Sequence, residues 1–160
     1  MKNNTKTIEK IVSKLQEEKK TISFAESCTG GRVASAFTSI SGVSSVFNGS
    51  CITYSNEIKK QWLGVEAEIL EKYGAVSKEC VNQMLQGIIK FAQSDYAIAI
   101  SGIAGSGGGT KEKPVGTVYI GVQTPFKKEI FHYFFKGDRV SIQDQSTHFA
   151  IEKLGKFLNI

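Results

Sequence analysis

Apolar residues recur at helical spacing along much of this chain. The first such stretch, residues 5–19, carries four apolar side chains among charged ones: Ile8, Ile11, Val12 and Leu15. This spacing predicts an amphipathic helix that packs on a sheet. The same periodicity predicts helices over residues 29–39, about 66–72, about 77–92 and about 141–158. A further helix is predicted to start at a cap formed by Ser55 or Asn56 and to run through Trp62 and Leu63.

Short β-forming runs alternate with these helices. They predict strands over residues 21–26, 47–54, 96–100, 115–122 and 129–135. Residues 96–100 are almost continuously apolar, which is typical of a strand buried on both faces. The last two runs are joined through Thr124 and Pro125 and predict an antiparallel hairpin. Helices that alternate with strands before a late hairpin predict an α/β fold, a three-layer α/β/α sandwich with a mixed, mostly parallel sheet.

The composition is that of an ordinary globular domain. The chain has 160 residues, of which 41% are hydrophobic and 22% charged, and it contains no internal repeat or low-complexity tract. A chain of this length buries roughly 70% of its unfolded surface in one core, so we expect a single domain over residues 1–160. No signal-like apolar core and no run of ~18 apolar residues is present, which predicts a cytoplasmic protein without membrane contact.

Charge and cysteine usage narrow the kinds of site to expect. The net charge is +5, but the lysines are interspersed with acids and form no basic stripe, so no nucleic-acid partner is expected. The positive charge still favours a small anionic substrate. Cys28, Cys51 and Cys80 form no C-x-x-C pair, and the chain has only two histidines. We therefore expect a site without a metal or a cofactor.

The most informative segment is A-E-S-C-T-G-G, residues 25–31. It places Ser27 at the carboxyl end of a predicted strand, a position suited to nucleophilic attack and anion binding. The backbone N–H groups of Thr29, Gly30 and Gly31 would then be free to hold an oxyanion. The alternative is a plain turn from strand to helix with Thr29 as the helix N-cap.

A serine nucleophile needs a base, and Lys59 is the candidate with a physical argument. His132 and His148 lie inside a predicted strand and helix without a local catalytic signature, so both are interpreted as structural. Lys59 lies in the first turns of a predicted helix, where the helix dipole and burial disfavour an ammonium ion. The alternative is a solvated surface lysine. Glu26 is predicted either to orient Lys59 or Tyr54 or to make a structural hydrogen bond to a loop.

A glycine-rich loop, S-G-I-A-G-S-G-G-G-T-K, follows the strand predicted at residues 96–100. It matches neither common phosphate-binding template, because the glycine spacing differs and a strand rather than a helix follows. Two interpretations stay open: an anion or sugar site formed by the backbone, or a flexible connection. The loops after Ser27, Tyr54 and Ser101 are expected to converge at one edge of the sheet.

Six motifs in order along nearly the whole chain resemble the CinA carboxy-terminal domain family: residues 25–31, 54–59, 74–77, 101–105, 113–118 and 137–139. The resemblance implies a nicotinamide-nucleotide amidase, which converts nicotinamide mononucleotide and water to nicotinic acid mononucleotide and ammonia. It also implies a homo-oligomer, a dimer, and the short, stand-alone form of the family.

The resemblance also implies roles for residues. Ser27 matches the nucleophile, Lys59 the general base and Tyr54 a hydroxyl that helps to position them. Ser101 and Gly102 match the loop around the nucleotide, and Arg139 matches a cation suited to the substrate's phosphate. Two alternatives stay open, a nucleotide-binding regulatory module without turnover and an amidase for a different small carboxamide.

Overall fold

The computed structural model describes residues 2–160. Within that range the six α-helices are Lys2–Glu18 (α1), Arg32–Thr38 (α2), Asn56–Leu63 (α3), Ala67–Tyr73 (α4), Lys78–Ala92 (α5) and Arg139–Phe157 (α6). The five strands are Ile22–Glu26 (β1), Phe47–Ile52 (β2), Tyr96–Gly102 (β3), Thr117–Gln123 (β4) and Lys128–Phe134 (β5). A short 3-10 helix, Val43–Ser45, was not predicted. Every predicted element is present, and the bounds differ by three residues at most.

The strands form one sheet in the order β2-β1-β3-β4-β5. Strand β1 is parallel to β2 and to β3, whereas β4 is antiparallel to both β3 and β5. Four of the five strands therefore run in the same direction, and the late hairpin supplies the one reversed strand. The predicted mixed, mostly parallel sheet is confirmed.

Helices cover both faces of the sheet. Helices α1, α2 and α6 pack on one face, where Leu15 and Phe37 meet the strand side chains Phe24 and Ile98. Helices α3, α4 and α5 pack on the other, where Met84 and the neighbouring helical residues cover small strand side chains, including Ala97 and Ala99. Alternate strand residues thus face opposite layers, as the predicted three-layer α/β/α sandwich requires.

Two features of this architecture position a site. The chain runs from β1 through α2 to β2, which is one neighbour of β1 in the sheet. It then reaches the other neighbour, β3, through the helices on the opposite face. A crevice is expected where the chain diverges in this way, at the carboxyl ends of β1 and β3. Helix α3 lies directly against α5, because a Cβ at Gly87 would be 2.0 Å from the Leu63 carbonyl oxygen. Only glycine permits this close approach of the two helices. The packing of α3 against α5 in turn fixes the position of Lys59.

None of the helices in residues 2–160 combines the length and the apolar character that crossing a bilayer requires.

Candidate active site

Six of the nine predicted site residues line one cavity at the carboxyl edge of the sheet. The cavity has a volume of about 250 Å³, and these six are Ser27, Tyr54, Lys59, Ser101, Gly102 and Arg139. Cys28, Ala75, Val76 and the glycine-rich loop between Ile103 and Gly108 complete the wall. The three polar loops therefore meet at one place. Thr29, Gly30 and Gly31 do not line the cavity.

A larger cavity, of about 600 Å³, lies between α1, α2 and α6. It is lined by Arg32, Asp144 and His148 among others, and by none of the nine predicted residues. Its charged side chains are paired with each other, since Arg32 Nε lies 3.4 Å from Asp144 Oδ1. The smaller cavity is the candidate active site, because it brings a hydroxyl and a buried amine together.

The centre of the site is a contact between Lys59 and Ser27. Lys59 Nζ lies 3.1 Å from Ser27 Oγ, 2.7 Å from the Thr53 carbonyl oxygen and 3.2 Å from the Tyr54 carbonyl oxygen. The Lys59 side chain is 1% exposed and Ser27 is 8% exposed. Lys59 is therefore not a solvated surface lysine. Its two carbonyl partners are main-chain atoms, which no side-chain pattern in the sequence could have identified.

Burial lowers the pKa of Lys59, because an ammonium ion loses its hydration inside the protein. The neighbouring Cys80 and Cys28 thiols act in the opposite direction, as smaller effects. The predicted cap of α3 is confirmed, since Ser55 Oγ accepts a hydrogen bond from the Ile58 N–H at 3.2 Å. Lys59 thus extends from the start of a capped helix into a buried site, where its neutral form is more favoured than it is in solvent.

The turn after β1 is held by the carboxylate of Glu26, which is fully buried. Its Oε2 accepts hydrogen bonds from the Thr29 hydroxyl at 2.7 Å and from the Gly31 and Val33 N–H groups at 3.1 Å. Its Oε1 accepts from the Ala34 N–H at 2.9 Å. Glu26 therefore makes the structural interaction that was one of its two predicted roles, and it contacts neither Lys59 nor Tyr54.

This arrangement corrects the expected oxyanion site. The Gly30 N–H donates to the Ser27 carbonyl oxygen at 3.1 Å, and the Gly31 N–H is bound by Glu26. Gly31 adopts a left-handed conformation with φ 93°, so α2 begins at Arg32 rather than at residue 29. The expectation that Gly30 and Gly31 offer free N–H groups is wrong, because a buried carboxylate and a turn carbonyl already use them.

Arg139, at the start of α6, connects two loops at the mouth of the cavity. Its guanidinium donates hydrogen bonds to the Gly105 carbonyl oxygen at 2.5 Å and to the Tyr54 hydroxyl at 2.8 Å. The Tyr54 hydroxyl is thus engaged by Arg139, and it is the Tyr54 carbonyl oxygen that contacts Lys59. Tyr54 thus contacts Lys59 through its main chain, and the hydroxyl that was predicted to position Ser27 and Lys59 bonds Arg139 instead.

Ser101 and Gly102 shape the wall of the cavity. Ser101 Oγ donates to the Ala75 carbonyl oxygen at 2.8 Å and so holds the segment before α5. A Cβ at Gly102 would lie 2.7 Å from Val118 Cγ2, so glycine lets β3 and β4 approach each other. Lys113 was not among the predicted site residues. Its ammonium group donates to the Tyr73 carbonyl oxygen and so holds the end of α4, just before the same segment.

The family model of the CinA C-terminal domain matches residues 4–158. This chain belongs to that family. A CinA-like protein from Endomicrobium trichonymphae is 51% identical over 144 residues, which is 90% of this chain and 34% of that protein. One from Thermotoga neapolitana is 47% identical over 156 residues, 98% of this chain and 38% of that protein. The chain spans little more than a third of the length of these curated relatives.

Solved CinA structures share the fold along their whole length. A CinA superfamily protein from Klebsiella pneumoniae is 34% identical, with a TM-score of 0.92 and 98% of both chains covered. A competence/damage inducible protein from Agrobacterium tumefaciens is also 34% identical, with a TM-score of 0.93 and 98% of this chain and 96% of that chain covered. The resemblance inferred from the six motifs is confirmed at the level of the family, as is the fold class.

The cavity of this CinA domain is lined by two basic side chains, Lys59 and Arg139, and by no carboxylate. Burial raises the pKa of Cys28 to about 12, so this thiol stays protonated near neutral pH despite its place beside Ser27. In residues 2–160, no group of three or more His, Cys, Asp or Glu side chains is arranged to hold a metal ion. Within this cavity the Ser27 hydroxyl and the Lys59 amine are in direct contact.

Proposed function

We propose that this chain hydrolyses nicotinamide mononucleotide to nicotinic acid mononucleotide and ammonia, with Ser27 as nucleophile and Lys59 as general base. The observation that carries the proposal is the 3.1 Å contact between Lys59 Nζ and Ser27 Oγ in a buried site. This distance is within the reach required of a nucleophile and its base. The substrate follows from the CinA family resemblance, which the geometry of the site suits.

The partners of Lys59 support its role as a base. A neutral amine has two N–H bonds and one lone pair in a tetrahedral arrangement. The carbonyl oxygens of Thr53 and Tyr54 can only accept hydrogen bonds, so they take the two N–H bonds. The lone pair is then left to face Ser27 Oγ and to accept its proton. Burial lowers the pKa of the amine and so shifts its equilibrium towards this neutral form.

The reaction proceeds by two additions to the same carbonyl carbon. Ser27 Oγ attacks the carboxamide carbon while its proton passes to Lys59 Nζ, which gives a tetrahedral oxyanion. The C–N bond then breaks, and Lys59 returns the proton to the departing nitrogen, which leaves as ammonia. Water attacks the resulting ester and loses one proton to Lys59. That proton returns to Ser27 Oγ as the bond from Ser27 Oγ to the acyl carbon breaks, and the carboxylic acid product gives its remaining proton to the released ammonia or to solvent.

Charge and size suit a phosphate-bearing carboxamide. A cavity of about 250 Å³ is smaller than the ~300–1,000 Å³ of most sites for drug-sized ligands. We infer that the nicotinamide ring and its carboxamide occupy the cavity while the phosphate lies at its mouth. There the planar guanidinium of Arg139 offers bidentate hydrogen bonds to phosphate oxygens. The Tyr54 hydroxyl and the Gly105 carbonyl oxygen are the contacts that the phosphate would replace.

We also propose that the protein is a cytoplasmic homodimer without a nucleic-acid partner. Light scattering on the purified chain would measure its mass against the 17.5 kDa of one copy.

Ammonia release from nicotinamide mononucleotide by the purified chain tests the function. We expect release by the wild type, and none above background from Ser27→Ala. Binding without release would instead favour a regulatory nucleotide-binding module. Release only from another small carboxamide would keep the mechanism and replace the substrate.

A further inference from the structure

The N–H groups of the turn after β1 can be accounted for one by one. The Ser27 N–H donates to the Ile100 carbonyl oxygen at 3.0 Å, and the Gly30 N–H donates to the Ser27 carbonyl oxygen. The Gly31 N–H donates to Glu26. Only the N–H groups of Cys28 and Thr29 have no acceptor on another residue within residues 2–160, and the Cys28 N–H contacts the thiol of its own side chain, which is a weak acceptor. Buried N–H groups are almost always paired with a strong acceptor in folded proteins, so this pair requires an explanation.

The two N–H groups differ in the access of their residues. Thr29 is fully buried and does not line the cavity, whereas Cys28 is 4% exposed and forms part of the cavity wall beside Ser27. A ligand in the cavity therefore contacts Cys28 and not Thr29. The Cys28 N–H belongs to the residue directly after the nucleophile, which is where hydrolases with a serine at a sharp turn place an oxyanion donor.

Both peptide planes that flank Cys28 are held by hydrogen bonds to their carbonyl oxygens. The Gly30 N–H holds the Ser27 carbonyl, and the side chain of Gln143 holds the Cys28 carbonyl, with Gln143 Nε2 2.8 Å from that oxygen. A trans peptide is planar and directs its N–H opposite to its C=O. Holding the Ser27 carbonyl therefore sets the direction of the Cys28 N–H. Gln143, a largely buried residue of α6, fixes the orientation of the next peptide, between Cys28 and Thr29.

We propose that the Cys28 backbone N–H is an oxyanion donor for the tetrahedral intermediate and that Gln143 is the residue that positions it. This inference rests on the proposed function for the identity of the reaction. It replaces Gly30 and Gly31 with a donor that no acceptor on another described residue uses, in a residue that lines the cavity. Helix α6 then contacts the site at two residues that lie one helical turn apart. Arg139 lies at the mouth of the cavity, and Gln143 contacts the turn after β1.

The first experiment uses the wild type and no natural substrate. A small fluorophosphonate should react with Ser27, so that an Oγ–P bond forms, the P–F bond breaks, fluoride leaves and Lys59 takes the serine proton. The phosphoryl oxygen then occupies the oxyanion position. In ¹⁵N-labelled protein, we expect the Cys28 amide proton to move downfield on labelling, further than those of Gly30 and Gly31.

The outcomes separate this inference from the proposed function. Labelling of Ser27 with an unmoved Cys28 amide, or with a larger shift at Gly30 or Gly31, would overturn the donor assignment alone. Absence of any adduct on Ser27 would overturn the nucleophile, and with it both proposals. Labelling with the expected shift, but no ammonia from nicotinamide mononucleotide, would support the donor and contradict only the substrate.

The second experiment tests Gln143 with a matched variant of the same helix. Gln143→Leu removes the donor to the Cys28 carbonyl, whereas Thr147→Val removes a buried hydrogen bond one turn later, to the Gln143 carbonyl. We expect Gln143→Leu to lower both kcat and the rate of phosphonylation about tenfold or more, with KM within twofold. Thr147→Val should stay within twofold of wild type. Unchanged rates in folded Gln143→Leu, or an equal loss in both variants, would overturn the positioning role.

Discussion

The inner wall of the cavity, formed by Ser27 and Lys59, differs from its mouth, formed by Tyr54 and Arg139. At the inner wall both side chains are nearly inaccessible to water, and Lys59 is held by main-chain carbonyls. At the mouth, Tyr54 is 60% exposed, and a single guanidinium bridges two loops. Burial at the inner wall lowers the pKa of the Lys59 amine, whereas exposure at the mouth leaves a cation whose partners a ligand can replace.

Two adjacent lysines give the sharpest test of the inner wall. Lys59→Met keeps the size of the side chain but removes the base, so we expect kcat/KM to fall by about three orders of magnitude or more. Lys60 is half-buried and pairs with Glu57, with 2.6 Å between Lys60 Nζ and Glu57 Oε2. Lys60→Met should therefore stay within about twofold of wild type.

Ammonia release measures both variants, and thermal melts check that each is folded. Substantial turnover in folded Lys59→Met would contradict both the distinction between the two lysines and the proposed mechanism.

The pH dependence tests the same wall without a mutation. Lys59 must be neutral to accept the Ser27 proton, and burial lowers its pKa. The kcat/KM value should then rise with pH, about tenfold per unit on the acid limb, and level off above the pKa of Lys59. The midpoint should lie below the ~10.4 of an unperturbed lysine. A profile that falls with rising pH across this limb would contradict a neutral-amine base.

At the mouth, Arg139→Met should act mainly on substrate binding. A hydrogen-bonded contact to a charged group contributes about 1.5–3 kcal/mol, so KM for the mononucleotide should rise about 10- to 100-fold. Nicotinamide riboside, which lacks the phosphate, provides the control, because its KM should change little in the variant. Equal losses for both substrates would place the effect of Arg139 in loop positioning rather than in phosphate binding.

The smallest effect is expected at Tyr54, which belongs to both regions. Tyr54→Phe removes the hydroxyl that contacts Arg139 but keeps the carbonyl that contacts Lys59. This bond lies at the exposed mouth and is one that the substrate's phosphate would replace, so we expect a change in kcat/KM of at most about tenfold. A loss as large as that of Lys59→Met would show that the hydroxyl takes part in the proton transfer.

Much of the inner wall could be predicted from the sequence. The apolar run before Ser27 and the capping serine before Lys59 are local signals, and each was found where expected. The carbonyl partners of Lys59 and the amide of Gln143 were missed, because main-chain atoms and contacts across 115 positions leave no local pattern. The sequence left two possible roles for Glu26, because a carboxylate beside a turn has several hydrogen-bond partners within reach.

The sequence by itself determined the order of helices and strands, the layered fold and the residues able to react, because apolar periodicity, capping residues and strand-ending motifs act over short distances. Only the tertiary structure decided which N–H groups are free and whether Lys59 is buried. Those properties depend on how β1, α3, α5 and α6 pack together. Free N–H groups are what remain after every nearby acceptor has been used, and burial is set by all the neighbours of a side chain at once.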